Sequence, residues 1–67
     1  MERRAIDYLV SLARVAKDNY QAALRTNDLQ DVIKKANLYH TAFDALKVET
    51  KWSLTKLFAV VNEGKDY

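Results

Sequence analysis

Sixty-seven residues with no cysteine, carrying 11 Lys and Arg against 9 Asp and Glu, hold one domain, no disulfide and a net charge of only +2. The lone histidine, His40, argues against structural zinc, which needs a set of four Cys or His ligands. The 49% apolar content argues against disorder. No apolar run approaches the roughly 20 residues of a membrane span. The opening Met1-Glu2-Arg3-Arg4 leads into a stretch broken by Asp7 and Ser11, so no signal peptide is expected and a soluble, cytoplasmic protein is.

The first helical pattern covers about residues 3–25. Ile6, Leu9, Ala13, Ala16, Tyr20 and Ala23 repeat at spacings of 3, 4, 3, 4 and 3, the rhythm of a coiled-coil seam. Its alanines let a neighbouring backbone approach closely. Arg25 is expected in the last turn, where a cation suits the negative end of the helix dipole.

Thr26-Asn27-Asp28 is the turn signal. Asn27 reads as the N-cap of the next helix, with Gln30 three residues on as a variant capping box. So short a connection makes the two helices antiparallel neighbours.

The second pattern covers about residues 28–63, with no Gly or Pro before Gly64. Leu29, Val32, Ile33, Ala36, Tyr39, His40, Phe43 and Leu46 form its main stripe. The stripe turns polar near Lys47, Thr50, Lys51 and Ser53, then resumes with Leu54, Leu57, Phe58 and Val61. At about 1.5 Å per residue the first helix spans roughly 35 Å and an unbroken second one roughly 50 Å. The first would therefore cover the second only to about Thr50. Either the second helix runs on and its end meets another chain, or the chain bends within residues 47–53 and folds back as a third helix. Thr50 or Ser53 is available to cap such a helix. With no Gly or Pro to assist a bend, the continuous helix is the preferred reading.

Each helix also carries a second apolar flank. On the first it is Tyr8, Leu12, Val15 and Ala22. On the second it is Leu38, Thr41, Ala45, Val48, Trp52, Thr55 and Ala59, again at alternating spacings of 3 and 4. A two-helix hairpin buries one face per helix. The expected fold is therefore an all-α antiparallel hairpin with a long second helix, paired into a dimeric four-helix bundle; a compact three-helix bundle is the alternative. Tyr8, Leu12, Trp52, Leu54, Leu57, Phe58 and Val61 are the candidate partner interface.

Little here points to catalysis. His40 and Asp44 sit four apart, as in a pair that orients an imidazole, but local sequence places no Ser or Cys nucleophile beside them. The carboxylates form no metal-binding motif, and phosphate-cradling loops need glycines that this chain lacks. No cofactor, no metal and no enzymatic activity are expected. Arg3, Arg14 and Arg25, spaced by 11, and Lys17 beside them give the first helix a basic edge. That edge is a candidate nucleic-acid contact. The leading functional expectation is a small, self-associating helical interaction module, regulatory or adaptor in role, that binds a protein partner without touching a membrane. A nucleic-acid-binding regulator is the alternative.

Overall fold

A computed structural model of the chain describes residues 3–67. It contains three helices: α1 (Arg3–Ala23), α2 (Leu29–Thr50) and α3 (Leu54–Asn62). The all-α reading holds. The unbroken second helix does not, and the bend lies inside the 47–53 segment.

α1 ends at Ala23, so Arg25 lies in the turn rather than in the last helical turn. The exit tightens through Arg25 N–H to Ala22 O at 3.1 Å and Thr26 N–H to Ala23 O at 3.0 Å, and the Thr26 hydroxyl donates to Ala23 O at 2.7 Å. Asn27 adopts the left-handed region at φ 61°, which its short polar side chain tolerates better than most. The cap is therefore Asp28 and not Asn27: its carboxylate accepts the Asp31 N–H at 3.3 Å. Moving the cap by one residue puts Asp31, not Gln30, at the third position, so no capping box forms.

The break after α2 is made by side chains. The Thr50 hydroxyl donates to the Leu46 carbonyl at 2.8 Å, a back-bond that bends helices, and also accepts the Trp52 N–H at 3.3 Å. Lys51 turns left-handed at φ 58° and its N–H still reaches Lys47 O at 2.8 Å. Ser53, in extended conformation, then caps α3 by accepting the Lys56 N–H at 3.2 Å.

Burial explains why the bend wins. Folding α3 back seals Leu57, Val60 and Val61 in the core. Fully burying three such side chains is worth about 1.5–3 kcal/mol each. A non-glycine residue in the left-handed region costs about 1–2 kcal/mol. The polar segment 50–53 replaces much of the lost helical hydrogen bonding with its own hydroxyls.

The core joins Val10 and Ala13 of α1, Leu46 of α2 and Leu57, Val60 and Val61 of α3. Ala13 is completely buried, the close approach its small side chain permits. Ile6, Leu9, Tyr39 and Phe43 pack around this centre, joined by Trp52 and Tyr67 from outside the helices. α3 is capped by Glu63, and just past it Gly64, at a left-handed φ of 68°, turns the chain so that the Lys65 N–H returns to Ala59 O at 3.1 Å. The long dimension is 38 Å and the other two are 19 and 18 Å.

Candidate partner interface

α3 packs against one flank of the α1–α2 hairpin and leaves the other flank uncovered. The contact side of α1 is marked by Val10, Arg14 and Lys17, which reach α3 or the core. Helical spacing sets Leu12 and Ala16 on the opposite side of α1. There they line a groove with Leu9 and Val15, facing Leu38, Thr41, Ala42 and Ala45 of α2, with Asn19 and Lys35 at the turn end. The groove encloses about 390 Å³. Small residues (Ala16, Thr41, Ala42 and Ala45) and leucines share its lining.

The exposures along this flank decide its character. Leu12 is 42% exposed, Leu38 54%, Val15 58% and Val48 69%. Single apolar residues in water are ordinary. A cluster of them on facing helices, with no charge in its centre, has the composition of the buried middle of an interface.

A second cleft, of about 460 Å³, opens between α2 and α3. Its wall is an aromatic row: Tyr20 to Tyr39 at 5.9 Å between ring centres, Tyr39 to Phe43 edge-on at 6.1 Å, and Phe43 to Phe58 at 5.3 Å. These aromatics mostly pack on one another, and the Tyr39 hydroxyl donates to the Asn62 amide oxygen at 2.6 Å. His40 lies at this rim, exposed although it falls in the main stripe of the second helical pattern, with its Nε2 3.0 Å from the Asp44 carboxylate. Among the described residues, no group of three or more His, Cys, Asp or Glu gathers to hold a metal, and no helix is long and apolar enough to cross a membrane.

The candidate interface residues divide. Tyr8, Leu12, Leu54 and Phe58 are exposed. Leu57 and Val61 are core residues and unavailable to a partner, because the bend at Lys51 carries them onto α1. Trp52 is half-buried, its ring 5.4 Å from that of Tyr67 and covered by the Lys56 ammonium at 4.5 Å. It is a packing residue of the bend. Leu38, Thr41 and Ala45 were legible as a separate stripe on the second helix. The antiparallel register about the 24–28 turn sets that stripe across from Leu12 and Ala16, a pairing that helical spacing within one helix does not reveal.

The basic edge has an internal use. Arg14 Nε donates to the carbonyl of Val60 at 3.0 Å and its Nη2 to that of Lys65 at 3.1 Å. Lys17 Nζ lies 3.5 Å from the Asn62 carbonyl and 3.4 Å from the Asp18 carboxylate. Two cations of α1 thus hold the C-terminal end of α3, where unpaired carbonyls and the helix dipole favour positive charge. Arg3 pairs with Asp7 at 3.4 Å and lies 4.7 Å above the Tyr67 ring. The Tyr67 phenol donates to the same Asp7 carboxylate. That hydrogen bond, helped by desolvation and by the Asp7 charge, pushes the phenol's pKa above its ordinary value, while Arg3 and Arg14 pull the other way. Arg25, in the exposed turn, takes no part in this clamp.

Comparisons with protein-family models, with curated proteins and with solved structures give no match to this chain, so its function is read from the geometry alone.

Proposed function

We propose that this chain is a small non-enzymatic helical interaction module, regulatory or adaptor in role, whose uncovered hairpin flank binds another protein chain. One observation carries the reading: the groove between α1 and α2 keeps Leu12, Val15 and Leu38 in contact with solvent while α3 occupies the other flank. Two half-exposed helix faces set side by side make a seat for a helix. The folding-back of α3 moves the surplus apolar surface from the end of a long helix to the back of the hairpin. The basic edge supports the nucleic-acid alternative less well, because Arg14 and Lys17 are bonded to the end of α3.

A photoreactive amino acid placed at Val15, inside the groove, and separately at Gln21, exposed on α1, tests the proposal in cells. The expected result is covalent adducts from Val15, lost when Leu38→Asp is added to the same chain, and none from Gln21. Equal labelling from both positions, or adducts from Val15 that persist with Leu38→Asp, would overturn it.

A further inference from the structure

The groove flank is self-complementary, and we infer that its occupant is a second copy of this chain, packed antiparallel about a two-fold axis near Thr41. The inference rests on the groove being a protein-binding face and adds the identity of the partner.

Charge placement selects the second copy. Lys34, Leu38, Thr41, Ala45 and Glu49 follow one another at spacings of 4, 3, 4 and 4 along α2, a single stripe on the groove side. The stripe begins with a cation, ends with an anion and is uncharged between, over about 22 Å. The neighbouring Lys35 is matched by Asp31 of its own helix at 3.9 Å. Among the described residues, neither Lys34 nor Glu49 has an ion-pair partner within the chain. An antiparallel two-fold puts Lys34 of each copy beside Glu49 of the other, twice. A parallel arrangement would set Lys34 against Lys34 and Glu49 against Glu49. Opposite charges at symmetric distances from the centre of one's own stripe are what a two-fold partner requires.

The relief agrees. The two-fold near Thr41 also passes close to Leu12, which the hairpin register sets beside Ala42. Each Leu12 can then enter among the small residues that line the other copy's groove, Ala16, Thr41, Ala42 and Ala45.

Sedimentation velocity on the purified chain over a wide concentration range, at low salt, tests this. The wild type is expected to dimerise. Lys34→Glu or Glu49→Lys alone converts two attractions into two repulsions and is expected to raise the dissociation constant about ten- to thirty-fold. The doubly reversed K34E/E49K chain is expected to return to within about threefold of wild type. All these positions are exposed, so circular dichroism should show the helices unchanged. A chain that stays monomeric at its highest attainable concentration, or a dimer indifferent to the single reversals, overturns the inference. A monomeric chain whose Val15 photoadduct contains a different protein fails this inference alone; absence of any adduct fails the interaction reading beneath it as well.

Discussion

Replacing Arg14 by Gln should unfasten the third helix. The guanidinium donates to Val60 O at 3.0 Å and to Lys65 O at 3.1 Å, bridging the last turn of α3 and the segment after Gly64. A hydrogen bond from a charged donor contributes about 1.5–3 kcal/mol when shielded from water. The Val60 contact is partly buried and the Lys65 contact exposed, so the second deserves heavy discounting. A net loss of about 2 kcal/mol is expected. For a domain of this size that lowers the melting temperature by about 8–16 °C. Arg14→Lys should recover part of the loss, since one ammonium cannot reproduce the fork that reaches both carbonyls. Thermal melts by circular dichroism, with Trp52 fluorescence as a local probe of the bend, measure both variants. A melting temperature unchanged by Arg14→Gln would refute the clamp and return Arg14 to the solvent-facing basic edge that the sequence suggests.

Leu57→Ala removes a fully buried side chain at the α1–α3 contact and should destabilise by about 2–5 kcal/mol in chemical denaturation, enough to unfold much of so small a domain. Lys51→Gly should do the reverse, gaining about 0.5–1 kcal/mol because Gly accepts the left-handed conformation without strain but enters from a more flexible unfolded chain. Tyr67 gives a pH dependence of known sign: its folded pKa is raised, so its bond to Asp7 adds stability that is fully present below the unfolded phenol value of about 10 and is lost as pH rises through the folded value. Alkaline titration of Trp52 fluorescence should show the C-terminal segment loosening in that window, and Tyr67→Phe should remove this transition while leaving the helices intact.

The parts of the fold that were legible in the sequence share a physical basis. Where apolar periodicity was strong, as in the seam from Ile6 to Ala23, the first helix formed where expected, and the turn fell at Thr26–Asp28 although Asp28 rather than Asn27 caps the next helix. The bend was harder to read because its agents, Thr50 and Ser53, act through hydroxyl bonds that leave no Gly or Pro in the sequence. Lys51 takes a left-handed backbone that is unfavourable for lysine and is imposed by the burial of Leu57, Val60 and Val61. Tertiary contact overrides local preference there. The proposed interface was legible by halves for a related reason. Helical spacing showed the stripe through Leu12 and the stripe through Leu38, but only the position of α3 decides which flank of the hairpin stays uncovered. Arg14 shows the same limit in electrostatics, since nothing local to α1 reveals that a helix end lies opposite it.

Methyl NMR with a water-soluble paramagnetic agent addresses the central claim most directly, because it reports which surface the molecule hides. Signals of Leu12, Val15, Leu38 and Val48 should be bleached in dilute solution and become protected as concentration rises, while those of Leu54, on α3, stay accessible throughout. Protection of Leu54 in their place, or bleaching of all five that does not change with concentration, would contradict a covered hairpin flank.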